Sequence, residues 1–179
     1  HRYAVIEMGA NAPGEIAYLA EIALPDVALV NNAAAAHLEG FGSLDGVIRA
    51  KGEIYTRLPE PGTAVINADD PGAPVWRELA GHRRQITFGA GPGCDVRLDQ
   101  ESLELTLDDA GFRCRFAVET PTGPLQVTLP LAGRHNAFNA VAATAAALAV
   151  EIPLNAIAAG LAGVKPVNGR LQYRAGRDG

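Results

Sequence analysis

The amino-acid sequence predicts an α/β fold: a mostly parallel sheet flanked by helices, with a small antiparallel three-stranded β subregion. Three observations carry this. Short, continuous apolar runs alternate with helical patterns through the first ninety residues, as buried parallel strands under covering helices require. Between residues 94 and 130 the apolar positions fall two apart, the pattern of half-buried antiparallel strands. Beyond residue 133 the chain returns to alanine-rich helical sequence.

Taken in order, residues 3–8 (YAVIEM) form a partly β-branched apolar run and read as a first strand. Gly9, Ala10 and Asn11 make a loop, and Pro13 opens a helix predicted to run to about Ala23. Residues 26–31 (DVALVN), 62–67 (GTAVIN) and 84–88 repeat the strand pattern. Residues 43–58 read as an amphipathic helix with Ser43 as its N-cap. In the antiparallel region, Val96, Leu98, Leu103, Leu105 and Leu107 precede an Asp-Asp-Ala-Gly turn. Phe112, Cys114, Phe116 and Val118 then precede a Pro-Thr-Gly turn, and Leu125, Val127 and Leu129 follow it. Helices are predicted over 134–150 and 153–160. Residues 1–164 are thus expected to form one domain, with the β subregion at about 94–130. The polar, Arg- and Gly-rich residues 165–179 are expected to begin a linker.

Composition narrows the function. The chain has 179 residues, 48% of them hydrophobic and 20% charged, which is ordinary for a folded globular domain. Fifteen Lys and Arg against 20 Asp and Glu give a net charge of -5, with no basic run to follow a phosphate backbone, so a nucleic-acid partner is not expected. The most apolar stretch, 137–150, is mostly alanine and is broken by Asn139 and Thr144. It falls short of the roughly 20 apolar residues that span a bilayer, so no membrane role is expected either. Cys94 and Cys114 stand too far apart for a CxxC motif and read as reduced thiols of a cytoplasmic protein. The chain begins His1-Arg2-Tyr3 with no leader pattern, and is expected to be a piece of a longer polypeptide.

In open α/β sheets, ligands sit beyond the carboxyl ends of the strands. Three polar loops leave the apolar runs at that end: Glu7 to Asn11, Asn31-Asn32 leading to His37, and Asn67-Ala68-Asp69-Asp70. Glu7 lies inside an apolar run, where a buried, unpaired carboxylate would cost several kcal/mol, so a cation or strong donors are expected beside it. Lys51 lies three or four residues from Val47, Ile48, Ile54 and Tyr55, which puts its stem on the apolar stripe of its helix, with Arg49, Glu53 and Arg57 nearer the other face. Such a lysine either snorkels to the edge of the core or is chemically employed. His37 alone reads as structural, and gains interest from Glu7 and Lys51. A Glu and a neutral His are a poor Mg²⁺ set without a further anionic oxygen, which the unmodified sequence lacks.

The ordered motifs Glu7-Met8-Gly9-Ala10-Asn11, AHLEGFGS (36–43), AKGEI (50–54), Asn67-Ala68-Asp69-Asp70, GRHNAFNA (133–140) and Gly169-Arg170-Leu171 resemble the central domain of the Mur ligases over nearly the whole chain. AHLEGFGS followed by AKGEI is most similar to the branch that joins D-alanyl-D-alanine to UDP-N-acetylmuramoyl-tripeptide. The resemblance implies an ATP-dependent amide ligase of peptidoglycan precursor synthesis, acting through an acyl phosphate in the cytoplasm.

By the same resemblance, Glu7 and His37 bind Mg²⁺, and Lys51 is carbamylated and supplies the missing anionic oxygens. Asn136 and Asn139 lie around the adenine of ATP, Arg170 reaches the γ-phosphate, and Asn31 and Asn32 face the UDP-substrate. Helix capping is the alternative for GRHNAFNA, and a linker arginine the alternative for Arg170. The family's G-x-x-G-K-[ST] phosphate loop is absent from these residues, so the chain is expected to be a truncated central domain without ligase activity of its own. Two other readings stay open: another amino acid ligase of the superfamily, and a noncatalytic α/β binding module.

Overall fold

The computed structural model describes residues 1–34, 38–108 and 111–165. Its elements, in chain order, are α1 (Glu15–Ala23), β1 (Val27–Val30), α2 (Leu38–Phe41), α3 (Leu44–Thr56), β2 (Thr63–Asn67), α4 (Ala73–Ala80), β3 (Arg84–Gly89), β4 (Val96–Asp108), β5 (Gly111–Glu119), β6 (Leu125–Leu129), α5 (Arg134–Ala149) and α6 (Leu154–Ala162). The six strands hydrogen-bond in sequence order in one sheet. Pairing is parallel for β1 with β2 and for β3 with β4, and antiparallel for β4 with β5 and β5 with β6. This is the expected α/β architecture with its antiparallel subregion. The chain divides into two compact units between Thr87 and Phe88.

In the first unit β1 and β2 align Val27 with Thr63 and Val30 with Ile66. Their apolar side chains meet Val47, Ile48 and Tyr55 of α3 and Trp76 and Ala80 of α4. Two buried polar atoms set the register of this core. The Tyr55 hydroxyl donates to the Val65 carbonyl at 2.7 Å and accepts from the Val30 amide at 3.0 Å, so one side chain bridges both strands. The Trp76 indole donates to the Ile48 carbonyl at 2.9 Å and fixes α4 on α3. Gly52 lets the two helices close: a Cβ there would lie 2.5 Å from Leu79 Cδ1 and 2.8 Å from Trp76 Cδ1. The Ser43 side chain caps α3 as predicted, accepting from the Gly46 amide.

One strand expectation is overturned. Residues 3–8 form no strand; they are largely exposed, with Val5 at 100%. The run has strand composition, but a strand exists only when a neighbour takes its amides and carbonyls, and none of the described strands pairs with it.

In the second unit Val96, Leu98, Cys114, Phe116, Val118, Leu125, Val127 and Leu129 are buried with Val141 and Ala145 of α5 and Ile157 and Leu161 of α6. The β4–β5 ladder shifts register between Asp99 and Glu104. Ser102 fills the gap: its hydroxyl donates to the Asp99 carbonyl at 2.7 Å and accepts from the Ala117 amide at 2.8 Å. Among the described residues no helix is long and apolar enough to cross a membrane.

Candidate functional site

Parallel strands deliver their carboxyl ends side by side, so β1 and β2 release their loops at one edge of the sheet. Four hydrogen bonds lace that edge together. The Asn67 amide nitrogen, at the end of β2, donates to the Asn31 carbonyl at 2.8 Å, just past β1. The Asn67 side-chain oxygen accepts from the Asp69 amide at 3.0 Å. Asp70 accepts from the Ala33 amide at 2.8 Å with one carboxylate oxygen and from the Gly72 amide at 2.8 Å with the other. No local sequence signal pairs residues 37 apart, so the sequence shows Asp70 only as part of the loop Asn67-Ala68-Asp69-Asp70 and not its reach to Ala33.

Lys51 completes this edge. It projects from α3, half-buried, and its Nζ donates to the Asn32 carbonyl at 2.7 Å. The sequence-predicted Asn31, Asn32 and Lys51 are therefore brought together. Helical spacing puts the lysine stem on the buried stripe, and the end of β1 puts a carbonyl where its ammonium emerges.

Glu53, assigned from sequence to the solvent face, is half-buried and holds the start of α1 instead. Its carboxylate accepts from the Gly14 amide at 2.8 Å and the Ala17 amide at 3.2 Å. These are orphan donors of a helix that has no side-chain N-cap of its own. Glu15 takes the Asn11 and Ala12 amides at 2.7 and 3.3 Å. The loop that follows Glu7 is thereby tied to α3 and α1. It also packs against α2 so tightly that a Cβ on Gly40 would clash with the Asn11 carbonyl oxygen.

Glu7 itself is exposed and, among the described residues, makes no hydrogen bond or ion pair. The expected burial is corrected: outside a strand, the Glu7 carboxylate is exposed and stays hydrated. His37 lies outside the described residues, as does Arg170. Among the described residues no three His, Cys, Asp or Glu side chains gather as a metal site. The donor chemistry nonetheless suits a hard cation if Lys51 carries a carbamate. A carbamate on that nitrogen would keep one N–H for the Asn32 carbonyl and would add anionic oxygens, the donor type a hard cation prefers.

In the second unit the motif GRHNAFNA forms the start of α5. The Asn136 amide donates to the Ala132 carbonyl at 2.7 Å, and its backbone N–H bonds Gly133. The bond ties the first turn to the preceding loop, and α5 has no side-chain N-cap. Asn139 is exposed one turn later. Arg134 hydrogen-bonds Gln100 and lies over the Phe138 ring, 5.7 Å from its centroid.

A family model described as the Mur ligase middle domain matches residues 1–147. The chain belongs to the Mur ligase middle-domain family. This Mur ligase middle domain is 48% identical over 169 residues to UDP-N-acetylmuramoyl-tripeptide--D-alanyl-D-alanine ligase of Escherichia coli strain K12, covering 94% of the chain and 36% of that protein. It is 42% identical to the ligase of the same name from Haemophilus influenzae, covering 96% of the chain and 35% of that protein. A crystal structure of MurF from Acinetobacter baumannii superposes with a TM-score of 0.90 at 39% identity, over 99% of this chain and 37% of that one. MurF ligase from Thermotoga maritima in complex with ADP gives 0.79 at 28% identity, over 96% and 38%. The chain thus spans about a third of the length of the curated relatives it matches.

Proposed function

We propose that this Mur ligase middle domain serves a cytoplasmic, ATP-dependent ligase that adds D-alanyl-D-alanine to UDP-N-acetylmuramoyl-tripeptide during peptidoglycan precursor synthesis. ATP phosphorylates the terminal carboxylate of the tripeptide, the amine of D-alanyl-D-alanine attacks the acyl phosphate, and the tetrahedral intermediate collapses to amide and inorganic phosphate. The observation that carries the reading is the Lys51 amine held on the Asn32 carbonyl at the adjoining ends of β1 and β2. The bond holds the nitrogen at the strand ends, as a lysine with a chemical task requires.

In this reading Lys51 is carbamylated. Bound Mg²⁺ supplies charge neutralisation at phosphoryl oxygens, and Glu7, His37 and the Lys51 carbamate are the residues that would hold it. The loop of Asn31 and Asn32 faces the UDP-substrate, Asn136 and Asn139 the adenine. Arg170 serves the γ-phosphate, for which a planar, permanently charged fork is suited.

The test is phosphate release by the full-length ligase with tripeptide and D-alanyl-D-alanine. Lys51→Arg keeps the positive charge and cannot form the carbamate, and is expected to lower turnover by at least about 100-fold. Turnover at the wild-type rate would overturn the reading. The 179 residues alone, which hold no G-x-x-G-K-[ST] loop, are expected to release no phosphate.

A further inference from the structure

Asp70 and Lys51 grip the same peptide unit from its two ends. The Ala33 amide that donates to Asp70 at 2.8 Å and the Asn32 carbonyl that accepts from Lys51 at 2.7 Å belong to one planar group. In a trans peptide the N–H and C=O lie in the plane and point in opposite directions, so the carboxylate sits at one edge of the peptide group and the lysine nitrogen at the opposite edge. Rotating the plane would break both bonds together. The carboxylate also polarises the peptide along its dipole, which strengthens the carbonyl as an acceptor.

Asp70 is itself held: its second oxygen takes the Gly72 amide at 2.8 Å at the start of α4, and α4 is fixed to α3, the helix that carries Lys51, by the Trp76 bond to Ile48. The chain α3, α4, Asp70, peptide 32–33, Lys51 closes on itself.

From this we infer that Asp70 is a positioning residue for the Lys51 amine, acting through the Asn32–Ala33 peptide. The inference rests on the reading of Lys51 as a residue the ligase needs. Asp70→Asn is nearly isosteric, but its single oxygen can satisfy only one of the two amides, and its NH2 opposes the other. Asp70→Ser keeps an oxygen for the Gly72 turn and is too short for Ala33, so it isolates the tie to the peptide. A purely structural role would reduce activity only through the folded fraction. A positioning role lowers kcat in fully folded enzyme and leaves KM for ATP and D-alanyl-D-alanine unchanged.

The experiment compares kcat, KM and thermal midpoint in the full-length ligase for Lys51→Arg, Asp70→Asn, Asp70→Ser and Tyr55→Phe. The last removes the strand bridge without touching the peptide, and serves as the structural control. Expected are kcat values about 10- to 100-fold down in both Asp70 variants, KM within about twofold, and wild-type kcat in folded Tyr55→Phe. Should Asp70→Asn fail to fold, Asp70→Ser decides. Wild-type kcat in a folded Asp70 variant while Lys51→Arg is impaired would overturn the positioning role alone. Wild-type activity of Lys51→Arg would instead overturn the reading beneath it.

Discussion

The two units use polar side chains in different ways. In the first, hydrogen bonds that shape the loops join residues far apart in sequence: Asn67 to Asn31, Asp70 to Ala33, Lys51 to Asn32 and Glu53 to Gly14. In the second, many of them stay local, as Asn136 to Ala132, Thr144 to Ala140 and Thr120 to Gly123 do. Topology explains the difference. Antiparallel neighbours are connected by tight turns that satisfy their own backbone. Parallel neighbours end together but belong to remote stretches of chain, so their loops must be tied by side chains. The loops that need such ties are the ones at the carboxyl ends of the parallel strands, where open α/β sheets place their ligands.

The largest effect that bears on this contrast is expected at Gly40. Any side chain meets the Asn11 carbonyl, a backbone atom that cannot rotate away, so Gly40→Ala should cost about 3 kcal/mol or displace the loop. Urea denaturation measures the first, and the amide spectrum of residues 9–14 the second; an unchanged protein would show that the close approach is not maintained. Next comes Tyr55→Phe, which removes the hydroxyl that bonds the Val30 amide and the Val65 carbonyl in the core and should cost about 2 kcal/mol. Asn136→Ala, losing a single local bond at the start of α5, should cost only about 1 kcal/mol and leave the first unit's amide spectrum untouched. A larger or spreading effect would break the contrast between far-reaching and local ties.

A smaller, pH-dependent effect follows from burial. It raises the Tyr55 hydroxyl and the Cys114 thiol above their ordinary values. The folded state then keeps protons that the unfolded chain gives up. Stability should be full below about pH 8.5 and decline above it, with a shallower decline in Tyr55→Phe. Urea midpoints at neutral and alkaline pH check the sign, and a rise with pH would contradict it.

How much of this was legible in the sequence depended on the range of the cause. The apolar runs at 27–30 and 63–67 and the two-residue spacing of Val96, Leu98, Cys114 and Phe116 are local, and the strands appear where they read. Lys51 was placed correctly by helical periodicity. Residues 3–8 carry the same local signal as a strand and yet form none, because propensity does not supply a partner. Glu53 was put on the wet face because its task, capping a helix 36 residues earlier, leaves no mark in its own turn. Asp70 was read as part of a loop motif, and its hold on Ala33 emerges only when β1 and β2 lie side by side.

The most direct test of the tie between the parallel strand ends is amide hydrogen exchange at Ala33. In the full-length wild-type protein Ala33 is expected to be protected, and in Asp70→Asn to exchange at least about tenfold faster while Phe116 and Ala137 keep their rates. Exchange of Ala33 at the unprotected rate in the wild type, or a rate that Asp70→Asn leaves unchanged, would contradict it.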